Sequence, residues 1–174
     1  MKNLETHFSD YIENSKTNNL HKNEPLTSIN TMNNLIIYGP PGIGKYSYAL
    51  NKIKDISPST LKYEKKITLT YNKSQVYFKI SDIHYEIDMA MLGCNSKQLW
   101  NEIFSQIIDI VNVKQSKVGI IVCKNFHMIH SELLETFYSY MQEYTTKHSN
   151  IGLNFILITE ELGFIPNNII NSCR

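Results

Sequence analysis

The 174-residue sequence contains a single arginine, Arg174, so its own side chains cannot build a lid of several arginines over a polyphosphate. Its three cysteines, Cys94, Cys123 and Cys173, are odd in number, far apart and in no ligand-like spacing. Neither a disulfide framework nor a zinc site is supported, and buried or incidental thiols are the default. No apolar run approaches the roughly 20 residues of a membrane span, and the opening MKNLETHFSD lacks the apolar stretch of a signal peptide. The expectation is an intracellular, soluble protein with no membrane partner. No sign of charge dominates: 17 Lys and Arg against 16 Asp and Glu give a net of +1. Any DNA contact must then be local or borrowed from partners. Alanine and glycine are sparse beside Asn, Lys and Ile, which fits an AT-rich coding sequence better than a physical requirement.

What is present centres on Asn34 to Ser47, NLIIYGPPGIGKYS. An apolar run breaks into glycine and proline before a lysine, which is the pattern of a buried strand ending in a phosphate loop. Gly39, Gly44 and Lys45 fill G-x-x-x-x-G-K. Glycines let successive backbone N–H groups turn inward around phosphate oxygens, and the lysine adds a charge that reaches the terminal phosphates. The helix expected from Gly44 aims its positive dipole end at the same place. The candidate nucleotide-binding residues are Gly39, Pro40, Pro41, Gly42, Ile43, Gly44, Lys45, Tyr46 and Ser47. The Ser or Thr that usually follows the lysine, and whose hydroxyl ligates magnesium, is Tyr46 here. Ser47 comes one place late, and a step along a helix swings a side chain by about 100°.

The rest of the chain alternates strands and helices. Residues 1–32 read as a polar extension, with Leu4, Phe8 and Ile12 marking one short amphipathic helix able to pack on the body and a mobile connection over Asn14 to Thr31. Residues 33–174 read as the core. Ala49, Leu50 and Ile53 carry a helical stripe that ends before Ser57-Pro58. ITLTY (Ile67–Tyr71) and QVYFKI (Gln75–Ile80) flank Asn72, Lys73 and Ser74 as a hairpin. His84 to Met89 alternates as a half-exposed strand should. Asn95 is placed to cap the next helix with Gln98 three residues on, followed by the stripe Leu99, Trp100, Ile103, Phe104, Ile107, Ile108 and Val111. VGIIVC (Val118–Cys123) and LNFILIT (Leu153–Thr159) are continuous apolar runs, as in strands buried on both faces of a parallel sheet. Ser131 opens a helix with Glu132 and Glu135 near its positive end, and Pro166 suits the first turn of a last helix, in the middle of which the chain reaches Arg174. The expected class is α/β, a mainly parallel sheet flanked by helices with an inserted β-hairpin.

Several other residues have an ordinary reading that outweighs a functional one. Glu86 and Asp88 share a strand face and read as a solvated edge rather than paired catalytic carboxylates. His127 and His130 have i,i+3 spacing but no acidic or cysteine partner in register, so no metal ligand is assigned. Lys62, Lys65 and Lys66 read as a solvated cluster, and FYSYMQEY as core plus interface.

The order of phosphate loop, a strand near residue 120 followed by a helix, a strand leading into Ile165-Pro166, and Ser172-Cys173 resembles the AAA+ core of clamp-loader small subunits, the family of replication factor C and the bacterial delta-prime subunit. The resemblance spans about Asn33 to Arg174; such divergent relatives are typical of large DNA viruses. It implies a P-loop NTPase core without the helical lid that normally follows. It also implies ATP or ADP as ligand, hetero-oligomeric assembly with other AAA+ subunits, and contact with a sliding clamp and primer–template DNA at sites of replication, in a nucleus or a viral replication compartment. The departures bear on catalysis. Where the family has adjacent acids, one for magnesium's water shell and one for the attacking water, this chain has Cys123 and Lys124. The sensor-1 asparagine falls on Glu160. The family's Ser-Arg-Cys aligns with Asn171, Ser172 and Cys173, or, with a one-residue slip, brings Arg174 to the finger position. Phosphoryl transfer depends on positioning and charge neutralisation, so a site stripped of these groups is expected to bind ATP and hydrolyse it weakly or not at all, as a pseudo-ATPase. No catalytic residue and no metal ligand is assigned, and magnesium's place is left open. Two other readings remain: an autonomous P-loop enzyme such as a nucleotide kinase, disfavoured by the missing arginines, and a structural module that has lost nucleotide binding.

Overall fold

A computed structural model describes residues 7–15, 32–71, 74–144 and 150–173. Its frame is a six-stranded sheet in the order β1-β6-β5-β4-β3-β2, formed by β1 (Leu35–Tyr38), β2 (Lys65–Tyr71), β3 (Ser74–Ile80), β4 (His84–Asp88), β5 (Val118–Lys124) and β6 (Gly152–Thr159). β1, β6, β5 and β4 run parallel, while β2 and β3 form an antiparallel hairpin that pairs through β3 with β4. The expected α/β class and inserted hairpin are therefore present; the hairpin's turn at Asn72 and Lys73 lies outside the described residues.

Helices cover both faces. α1 (Phe8–Ser15) and α2 (Lys45–Ile56) lie on one face, where Phe8, Ile12, Ala49, Leu50 and Ile53 meet Ile37, Ile120, Val122, Ile156 and Ile158. α3 (Ser96–Val113) and α4 (Ser131–Glu143) lie on the other, where Trp100, Ile103, Ile107, Leu133 and Phe137 meet Tyr85, Ile87, Ile121, Cys123, Phe155 and Leu157. Because side chains alternate along a strand, β5 feeds both cores, which is why its sequence is continuously apolar. Burying an isoleucine or leucine this fully contributes about 1.5–3 kcal/mol. α2 ends at Ile56 because Ser57, ahead of Pro58, is extended (φ −78°, ψ 122°). α1 joins the core through Phe8 and Ile12, so the polar N-terminal extension contributes to the body. Leu4 and residues 16–31, which hold most of the expected mobile connection, lie outside the described residues. Among the described residues no helix is long and apolar enough to cross a membrane.

Three local expectations need correction. β4 is not half-exposed: His84 to Ile87 are all buried, because α1 and α2 cover the face that carries His84 and Glu86. Asn95 occupies the N-cap of α3 without a side-chain cap hydrogen bond, since two 3₁₀ turns, Met89–Met91 and Gly93–Asn95, lead directly into the helix. The last helix, α5 (Asn167–Asn171), is complete before the end of the chain, and Cys173 then forms a parallel bridge with Asn34 beside β1.

Candidate functional site

β1, β6, β5 and β4 all end on the same edge of the sheet, and the glycine loop leaves β1 there. The segment after β1 turns to the α2 face, whereas the segment after its neighbour β6 sends Ile165 and Ile169 into the opposite core. The loop thus stands at a topological switch point, the place where open α/β sheets form ligand crevices. Gly42 (φ 79°) and Gly44 (φ 88°) adopt left-handed backbone that a side chain would strain, and Gly44 is the N-cap of α2. A Cβ at Gly39 would come within 2.4 Å of Ile43 Cδ1. The first intrahelical bond of α2 is Tyr48 N–H to Gly44 O at 2.9 Å, so the N–H groups ahead of it face the loop without intrahelical acceptors. Lys45 folds back along the loop. Its ammonium, on a side chain only 9% exposed, donates to Gly39 O and Pro40 O, both at 2.7 Å, and lies 3.7 Å from Glu160 Oε1.

Tyr46 points the other way, across β5. Its hydroxyl donates to both carboxylate oxygens of Glu86, at 2.7 and 2.9 Å. Glu86 Oε1 also lies 3.3 Å from His84 Nε2, and His84 Nδ1 lies 2.5 Å from Ser81 Oγ. Ser81 Oγ also accepts the N–H groups of Ile83 and His84, which ties the start of β4 to the His84 ring. Ser81, His84 and Glu86 are all buried, and with the half-buried Tyr46 they make a continuous polar chain within an apolar face. Burial, and after it the charge of Glu86, pushes the Tyr46 hydroxyl far above the usual tyrosine range. Lys124, at the end of β5, holds its ammonium 4.2 Å above the Tyr46 ring, and Tyr11 packs edge-on to that ring at 4.7 Å. Glu86, Asp88, Tyr46, Tyr77 and Lys124 also line an adjoining cleft of about 160 Å³.

Strand register separates Cys123 and Lys124 at the end of β5. Cys123 turns into the α3–α4 core, fully buried, and burial followed by the nearby Cys173 drives its thiol pKa well up. Lys124 shares the opposite face with Val122, next to Asp88 of β4. Asp88 accepts from Ala90 N–H (3.1 Å) and Asn125 Nδ2 (2.9 Å), which ties the ends of β4 and β5 together. Glu160, just beyond β6, sits between Lys45 and His127, whose Nε2 is 3.8 Å from Glu160 Oε2 and whose Nδ1 accepts the Glu160 N–H at 3.3 Å. Ser172 does not project as a finger: its hydroxyl donates to Ile169 O at 2.8 Å. Arg174 lies outside the described residues.

The residues fit a phosphate group better than they fit magnesium. The loop offers backbone N–H groups, a helix N-terminus and an ammonium. Magnesium demands near-octahedral oxygen ligands, yet the hydroxyl at position 46 is bound to Glu86, Lys124 is a cation and Cys123 is in the core. Among the described residues no group of three or more His, Cys, Asp or Glu could hold a metal ion.

The structure keeps Gly39 to Ser47 as one loop-and-helix unit, with Ser47 an ordinary residue of α2 whose carbonyl accepts from Asn51 Nδ2. It adds three groups that the sequence reading did not join to this unit. Glu86 and Asp88 are not the solvated edge that their alternation suggests: Glu86 is the buried partner of Tyr46, and Asp88 braces two strand ends. Glu160 is the carboxylate beside Lys45. The signal for the first was available in Tyr46 itself, since a phenol spans the width of a strand where a serine would not. No family model and no curated protein sequence matches this chain.

Proposed function

We propose that the chain binds ATP or ADP through Gly39 to Ser47 in the manner of a P-loop NTPase, without hydrolysing it unaided. One observation carries this reading: a glycine loop with two left-handed residues leads from a parallel strand into a twelve-residue helix at the sheet's switch point, with a lysine ammonium turned into the loop. The backbone N–H groups of Gly42 to Tyr46 and the Lys45 ammonium would hold the phosphates, and the nucleotide supplies only its phosphoryl group. What argues against unaided hydrolysis is that β5 ends in Lys124 rather than an acid, and a protonated amine is no general base. The finer reading follows the sequence resemblance to clamp-loader small subunits. As an AAA+ subunit the protein would act beside related chains, meeting a sliding clamp and primer–template DNA through them. The net charge of +1 supports borrowed DNA contact, since duplex affinity needs several clustered cations.

Thermal-shift and single-turnover assays with ATP and ADP test the first claim. Stabilisation by both nucleotides without phosphate release is expected, and magnesium-dependent turnover abolished by Lys45→Ala would overturn the non-hydrolytic reading. For the second, light scattering and pull-down from the native source should recover AAA+ partners. A strictly monomeric chain that alone binds primer–template DNA tightly at physiological salt contradicts it.

A further inference from the structure

Resting on that nucleotide-binding reading, we propose that this site takes the metal-free polyphosphate, with the Lys124 ammonium carrying the positive charge that a magnesium ion would otherwise bring. Three positions that would serve the ion are altered, and they are altered together. The side chain after the loop lysine is a phenol whose oxygen is held by both oxygens of Glu86. The side chain at the end of β5 on that face is an ammonium, 4.2 Å from the same ring. Its neighbour Cys123 is in the opposite core. A divalent ion placed beside Lys124 would face like charge, and drawing Glu86 onto it would leave the half-buried Tyr46 phenol without its acceptor.

The charges at the mouth favour the same reading. Lys45 is the cation inside the loop, and Glu160 lies 3.7 Å from it. Among the described residues Lys124 makes no close ion pair; Asp88 is its cross-strand neighbour, Glu86 and Asp88 share its cleft, and its ammonium lies over the ring of Tyr46 in the first turn of α2. A polyphosphate entering the loop meets one ammonium along the loop and a second on the side where Tyr46 points. Lysine is suited to this role as a compact point charge that needs no fixed coordination geometry. The Tyr46 ring meets Tyr11 edge-on and carries the Lys124 ammonium over its face.

The test is calorimetric titration of the whole chain with ADP and ATP in EDTA and again in millimolar magnesium, with circular dichroism to establish that each variant is folded. Binding in EDTA as tight as in magnesium, or tighter, is expected. Lys124→Met should weaken binding in EDTA by about tenfold, the order of one charge-assisted contact, while Lys124→Arg should retain most of it. Wild-type binding that appears only with magnesium overturns this inference and leaves nucleotide binding standing. So does unchanged EDTA affinity in folded Lys124→Met. No binding in either buffer by the folded wild type overturns both.

Discussion

Replacing Tyr46 by phenylalanine removes one oxygen and leaves the ring, so it isolates the hydroxyl's bond to Glu86 from the packing against Tyr11 and Lys124. That oxygen donates at 2.7 and 2.9 Å to a carboxylate only 4% exposed, whose other side-chain partner is His84 Nε2 at 3.3 Å. Hydrogen bonds to charged groups contribute about 1.5–3 kcal/mol, and the acceptor left behind is too deep for full rehydration. We expect a loss of about 2 kcal/mol, which for a chain of this length lowers Tm by about 4–8 °C. The fluorescence of Trp100, the one tryptophan and fully buried against α4, reports urea unfolding of the body. A cycle with Glu86→Gln isolates the pair, and a coupling of at least about 1 kcal/mol is expected. If Tyr46→Phe stays within about 0.5 kcal/mol of wild type, or the two changes simply add, the buried chain from Ser81 to Tyr46 is not the structural feature described.

Two further predictions concern charge. Glu160→Gln removes the carboxylate that competes for Lys45, so nucleotide affinity should rise about two- to fivefold, the size of a partly exposed ion pair; a fall in affinity would make Glu160 a ligand rather than a competitor. Stability should be lost in acid through Glu64 and Asp82. Burial acts to raise both pKa values, but for Glu64 the Lys79 ammonium and Phe8 N–H, and for Asp82 the Ser59 N–H and Ser57 hydroxyl, outweigh it and hold them below the usual range. A folded pKa below the unfolded one contributes stability above the unfolded value of about 4 and loses it as pH falls through the folded one. The urea midpoint should therefore drop below about pH 4, and Asp82→Asn should make that limb shallower. An acid limb unchanged in Asp82→Asn would refute the assignment.

The loop and its flanking elements were legible because their signals are local. Gly39 to Gly44 and the stripe Ala49, Leu50, Ile53 lie within one short stretch, and the runs Val118–Cys123 and Leu153–Thr159 announce double burial by composition. What was illegible depends on partners distant in sequence. The alternation of His84, Glu86 and Asp88 is the pattern of a wet face, and nothing within β4 says that Phe8 and Tyr46 arrive to cover it. Glu160 meets Lys45 only because β6 pairs with β1, a pairing that the alternation of strands and helices does not specify. Asn95 has the right residue type for a cap, but the 3₁₀ turns before it satisfy the entry to α3 in another way.

The central claim is that Gly39 to Ser47 holds the phosphates of a nucleotide. Isothermal titration of the folded wild type and of Lys45→Ala with ADP and ATP, with and without magnesium, addresses it most directly. Saturable binding by the wild type, weakened at least about tenfold in Lys45→Ala through the loss of a charge-assisted contact, is the result predicted here. No binding at millimolar nucleotide in any buffer, or equal binding by both proteins, would contradict it.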